Sequence, residues 1–198
     1  MKKWLEKVDW IYVIVPLALL GTFWVIAAFT GQWPWQSNPY NSYALQTDSW
    51  LKGRLDLGQN YEWLELAIYQ GKYFVSFPLF PSYVLIPFVI LFGTNTPDHF
   101  IALAVTIIGC IYAVKIYRET SAEKQHSLFW VLMLYFASGY LFVGMNGYVW
   151  FIAQSMSFTL SLMALYYTLR NKGGLALTFW ACAVGCRPML ALYGILLV

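Results

Sequence analysis

The chain has 198 residues, 60% of them hydrophobic, 20% aromatic and 11% charged, with a formal net charge of +3. Soluble domains carry roughly a quarter charged residues, so this composition excludes an ordinary water-soluble domain and points to a polytopic membrane protein. The charge is too small and scattered to leave an electrostatic footprint for nucleic acid, and none is expected as a partner.

Met1-Lys2-Lys3 leads into an apolar run without a small-residue cleavage site, which reads as a retained anchor. The run Trp10 to Phe29 is long enough to cross a hydrocarbon core of about 30 Å at about 1.5 Å per residue. The loop of residues 30–98 follows, and its residues 30–77 carry four of the nine acids, Asp48, Asp56, Glu62 and Glu65. In it, Asn38 reads as an N-cap, Pro39 as the first helical residue and Gly53 as the stop. Tyr40, Tyr43, Ala44, Thr47, Trp50 and Leu51 recur at helical spacing, predicting an interfacial amphipathic helix with Asp48 at the edge of its apolar face. Glu62 to Tyr69 reads as a second short helix, and Gln70-Gly71-Lys72 as a turn.

The next apolar run, Pro78 to Gly93, has only 16 residues and contains Pro78, Pro81 and Pro87. Four later runs qualify as spans: His99 to Tyr117, Leu128 to Gly144, Phe151 to Leu169 and Leu175 to Val198. If the proline-rich run crosses, Lys115, Arg118, Lys124, Arg170 and Lys172 fall outside with Lys52, Arg54 and Lys72. Only Lys2, Lys3 and Lys7 then remain inside, three against eight. If it does not cross, the count is eight inside against three outside, which the positive-inside rule favours. The expectation is one all-α membrane domain over residues 1–198, with five spans, a cytoplasmic N-terminus and two or three outer juxtamembrane helices. Thr96-Pro97-Asp98 reads as a cap ahead of the second span, and Gly173-Gly174 as the stop that makes a tight inner hairpin. Several tryptophans fall near the expected interfaces.

Asp48 is the candidate for chemistry. A carboxylate at a bilayer surface, followed by Lys52, Arg54 and Lys72, suits acid–base work on a lipid-borne phosphate substrate. The alternative is an exposed Asp48–Lys52 pair contributing roughly a few tenths of a kcal/mol, with the bases meeting lipid phosphates. Arg187 lies about twelve residues into the last predicted span, where a cation costs roughly 2.5–3.5 kcal/mol, so it needs a carboxylate, an anionic ligand or a snorkelling path. The hairpin Asn146-Gly147-Tyr148-Val149-Trp150 with Gln154 suits sugar or headgroup binding, or a plain interfacial turn. Cys110, Cys182 and Cys186 lie in apolar runs without zinc-type spacing and read as packing residues. His99 and His126 are far apart, so no histidine-based metal site is expected.

Residues Asp48 to Asp56 (DSWLKGRLD), Tyr69 to Pro81 (YQGKYFVSFPLFP), the stop at Gly93 and Ala183 to Pro188 (AVGCRP) carry a resemblance. Together with one span, an early loop Asp and two juxtamembrane helices, they resemble the GT-C fold membrane glycosyltransferases, in the branch of protein mannosyltransferases and aminoarabinose transferases. The resemblance implies sugar transfer from a polyprenyl-phosphate-sugar donor to a glycan, lipid or protein acceptor at the outer face. It makes Asp48 the base, with Lys72, Arg54 and Arg187 holding the donor phosphate. Glu62, Glu65, Asn146, Tyr148 and Gln154 are the residues expected to line the substrate cavity. Relatives often place a metal-linked acid in the second outer hairpin; this chain has Asn146 there, so a divalent cofactor is left open. Family members are far longer, which implies that this is an N-terminal piece. A transporter or flippase, or an assembly subunit, is the alternative, although no internal symmetry of the kind paired transporter halves show is present.

Overall fold

Three apolar runs lack an internal break strong enough to stop a helix, and they become the three longest helices of the computed structural model, which describes residues 9–196. These are α1 (Ile11–Thr30), α4 (Asp98–Thr120) and α7 (Val149–Leu169), of 20, 23 and 21 residues. Each is long and apolar enough to cross a bilayer, which marks the chain as an integral membrane protein. The remaining elements are α2 (Ser42–Leu51), β1 (Leu66–Tyr69), β2 (Lys72–Val75), α3 (Phe80–Phe92), α5 (Ser127–Phe136), α6 (Tyr140–Met145) and α8 (Gly173–Cys186). Short 3₁₀ segments precede α5 (Lys124–His126) and follow α8 (Pro188–Leu196).

The other two predicted spans are interrupted, so the five-span count is not reproduced as five continuous helices. Residues 128–144 divide into α5 and α6 around Ser138-Gly139. The Ser138 hydroxyl donates back to the Leu134 carbonyl and accepts from the Tyr140 amide at 3.2 Å, closing one helix and opening the next. Residues 175–198 are α-helical only to Cys186. Pro188 holds Arg187 extended (φ −145°, ψ 102°), as a residue before proline prefers. At the turn before α8, Asn171 takes the left-handed conformation (φ 54°), and Gly173-Gly174 open α8 instead of closing α7.

The loop also departs from an all-α reading. Residues 66–69, expected to end a helix, form a strand paired antiparallel with β2 in the register Leu66↔Val75 to Tyr69↔Lys72. Gln70 and Gly71 have φ of 48° and 72°, the two positive values of a tight hairpin turn. The second short helix is therefore a hairpin, and α2 and α3 are the two juxtamembrane-type helices. Asn38 is not the N-cap of α2, which begins at Ser42 behind Asn41. The predicted stop at Gly53 does close α2. Its φ is 71°, and the Gly53 and Arg54 amides donate to the Trp50 and Ser49 carbonyls, a Schellman arrangement.

α2 and α3 lie side by side and antiparallel. Asn41 Nδ2 donates to the Thr94 carbonyl at 2.8 Å, while six residues on the Thr47 hydroxyl donates to the Ser82 carbonyl at 2.8 Å. The Ser82 hydroxyl returns a bond to Gln46 Oε1 at 2.6 Å. The proline-rich helix, 13 residues and about 20 Å long, thus has both ends tied to α2 and cannot run through to the far end of the bundle. Tyr43, Leu85, Val89, Ile101, Val149, Ile152 and Met156 form the core beneath this pair. A second core joins α1, α4 and α5 around Leu19, Cys110, Val114, Val131 and Tyr135.

A buried polar knot locks the loop end of the bundle. The Asn38 amide donates to Asp98 Oδ2 at 2.8 Å and to the Gly147 carbonyl at 3.2 Å, and the Thr96 hydroxyl donates to Asp98 Oδ1 at 2.5 Å. The Gly147 amide donates to His99 Nδ1 at 3.2 Å, and the Tyr40 amide to Asn38 Oδ1 at 2.8 Å. Thr96 thus holds the carboxylate rather than capping the helix backbone. At the opposite, basic end, Arg118 pairs with Asp9, Arg170 Nη1 with Glu119 at 3.0 Å, and Lys115 sits 4.6 Å over the Tyr112 ring.

The knot leaves no room at Gly147, where a Cβ would overlap the Asp98 carbonyl carbon and the His99 amide. Gly147→Ala should destabilise the protein by about 1–3 kcal/mol, read as a lower unfolding midpoint in detergent micelles. Gly21→Ala on α1, where nothing lies within 4 Å of the added atom, should be neutral or stabilising.

Candidate functional site

α2 presents different chemistry on each flank because neighbouring elements pack around most of it. Gln46 and Trp50, one turn apart, face a groove of about 710 Å³ that also meets Arg54, Phe74, Leu79 and Tyr83. Thr47 faces α3. Asp48 is two residues from both Gln46 and Trp50, so it stands on the opposite flank and is not part of the groove lining. Its side chain is 24% exposed and bonds Lys52 Nζ at 2.6 Å, while Lys52 is 59% exposed. The carboxylate is therefore half-sheltered and ion-paired within its own helix.

The expected cations are spread along this end of the bundle. Arg54 lies over the turn that Gly58 makes possible: φ there is 77°, and a Cβ would meet the guanidinium. Lys72 is exposed at the start of β2, beside the hairpin turn. Neither has an ion-pair partner among the described residues. Arg187 has a protein partner. It is the cap of α8, and its Nη2 donates to the Trp150 carbonyl at 2.8 Å in the first turn of α7. A backbone carbonyl at the loop end, rather than a carboxylate, is thus its partner. No hydrogen bond or ion pair joins Asp48, Arg54, Lys72 and Arg187 to one another; what they share is one end of the molecule.

The five residues expected around the substrate are likewise separated. Glu62 and Glu65 are exposed, and only the backbone of Glu65 is engaged, by the Ser76 hydroxyl at 2.8 Å. Tyr148 accepts from the Gln32 amide at 2.8 Å and packs on Tyr40 and His99. Gln154 is exposed on α7. Asn146 donates to the Phe142 carbonyl at 3.4 Å and lines a separate small cavity with Phe23, Gln32 and His99. Asp98 is the acid packed against this hairpin, and both its oxygens are taken by Asn38 and Thr96. The hairpin therefore does not present the oxygen-rich donor set a divalent cation takes.

The sequence reading missed Tyr43 as a polar group, because its position on the apolar face marks it only as core. Its hydroxyl is buried without a protein partner, as is Arg187 Nε. Burial pushes the Tyr43 phenol well above its ordinary range; nearby Cys186 adds to this and Arg187 opposes it. The hydroxyl therefore stays protonated, and it and Arg187 Nε are both buried donors without a protein acceptor.

No known family's sequence profile, no curated protein and no solved structure matches this chain.

An unpartnered buried hydroxyl costs more than the aromatic C–H that replaces it in phenylalanine. Tyr43→Phe should thus leave stability unchanged or raise it by up to about 1 kcal/mol, measured by thermal unfolding in micelles. A clear loss instead would mean that an acceptor reaches the hydroxyl.

Proposed function

We propose that this chain forms the catalytic module of a membrane glycosyltransferase of the GT-C type, moving a sugar from a polyprenyl-phosphate donor to an acceptor hydroxyl. The observation that carries the reading is the placement of α2. The helix bearing Asp48 is clamped to a non-crossing, proline-rich helix at the same end of the bundle to which Arg187 is drawn.

In this mechanism the acceptor O–H passes its proton to the Asp48 carboxylate as the oxygen bonds the sugar's anomeric carbon. The bond from that carbon to the donor phosphate oxygen breaks, and the phosphate leaves on its lipid with configuration inverted. Asp48 first has to release Lys52, and an arriving phosphate is a competing anion for that ammonium. Arg54, Lys72 and Arg187 neutralise the departing charge. The α5–α6 pair and α8 with its 3₁₀ extension complete five crossings. The basic end faces the cytoplasm under the positive-inside rule, and α2 faces outward.

Asp48→Asn should lower transfer from undecaprenyl-phosphate-linked hexose donors by about 10²–10⁴-fold at unchanged expression, since general-base assistance is typically worth that much. Undiminished turnover would end the assignment. Cysteine placed at Asn95 should react with a membrane-impermeant maleimide added outside intact cells. Reaction only after access to the cytoplasm would overturn the topology.

A further inference from the structure

A second concave site sits at the far end of α3 from the groove. Trp33 and Trp35 stack with centroids 5.3 Å apart and planes within 7°, and Trp24 on α1 meets them at 5.4 and 5.8 Å, tilted by 56° and 52°. Trp24 and Trp35 wall a cavity of about 390 Å³ with Phe92, Phe100, Pro97 and Asn95. The backbone that carries Trp33 and Trp35 is tied down. Gln36 Oε1 accepts from the Trp33 amide at 2.9 Å, and the Phe100 amide donates to the Pro34 carbonyl at 3.2 Å. Yet Trp35 stays 60% exposed and Trp24 46% exposed.

The polar edges of this cavity are unspent. The indole N–H groups of Trp63 and Trp180 donate to the Pro39 and Leu190 carbonyls, each at 2.9 Å. Among the described residues, the indole N–H groups of the lining residues Trp24 and Trp35 have no such acceptor, and the Asn95 amide has no protein partner. No ionisable side chain lines the cavity.

We propose that this aromatic pocket binds a neutral pyranose unit of a glycan. A pyranose has an apolar C–H face, which the open face of an indole covers, and a rim of hydroxyls, which the amide and indole N–H groups can engage. The tied-down backbone reduces the ordering cost of a weak ligand. A quaternary ammonium headgroup would find no carboxylate in the lining to pair with, whereas Asn95 offers a neutral sugar an amide. Interfacial anchoring needs one ring at headgroup depth and does not require two tryptophans and two phenylalanines around one hollow. The site is separate from Asp48 and does not rest on the transferase reading.

Saturation-transfer NMR on the full chain in lipid nanodiscs tests it, with cellobiose, mannobiose and N,N′-diacetylchitobiose as neutral probes and phosphocholine as the cationic one. Transfer to the ring C–H protons of at least one sugar is expected, falling about fivefold or more in Trp35→Ala and in Asn95→Ala. Both positions are exposed, and either variant alone suffices if the other does not fold. Asp48→Asn should bind sugar normally, which keeps this result independent of transfer activity. The proposal is overturned by no transfer to any sugar, by undiminished transfer in both variants, or by phosphocholine displacing or replacing the sugars.

Discussion

A carboxylate buried at the mouth of a membrane helix must be fully hydrogen-bonded, and the loop end of this protein is arranged around meeting that demand for Asp98. One asparagine does much of it. The Asn38 amide spans Asp98 and Gly147, and its carbonyl receives the Tyr40 amide. Three stretches that are distant in sequence are thereby joined: the loop after α1, the start of α4 and the α6–α7 turn. The Val149 amide then bonds the Tyr40 carbonyl at 3.1 Å, seating the approach to α2 on the first turn of α7. The placement of Asp48, and of Trp150 as the partner of Arg187, follows from this seat.

The α2–α3 pair obeys a second constraint of low-dielectric surroundings. Its ties run from side chains to backbone carbonyls at Asn41–Thr94 and Thr47–Ser82 and between side chains at Ser82–Gln46, so polar groups are satisfied without charge. Small residues do the complementary work between α4 and α7. Gly109 lies against Thr159, whose hydroxyl donates to the Val105 carbonyl at 3.0 Å. Polar groups within the bundle thus act as fasteners between closely approaching backbones.

The sequence made α1, α4 and α7 legible because apolar length is a direct signal, and Gly53 and Gly93 because a left-handed residue at a helix end favours glycine. The proline-rich run was read as non-crossing from charge counts, and its pairing with α2 was not readable there. Other features depend on partners that only folding supplies. Asn38 looks like a cap until Asp98 is brought beside it. Residues 66–69 look helical until Gln70-Gly71 folds them back onto β2. The break between α5 and α6 turns on one serine hydroxyl, and a run of apolar residues hides it. Of the candidate site, the membership of one end of the molecule was readable; the flank on which Asp48 stands was not.

The two ends of the bundle are fastened by different forces. At one end the ties are sheltered hydrogen bonds around Asp98; at the other they are exposed ion pairs, Arg118–Asp9 and Arg170–Glu119. Added electrolyte screens the second kind and leaves the first nearly untouched. Ionic strength therefore acts on one side only, weakening the arginine ties from α4 to Asp9 and to the end of α7 while the apolar packing and the opposite mouth keep their shape.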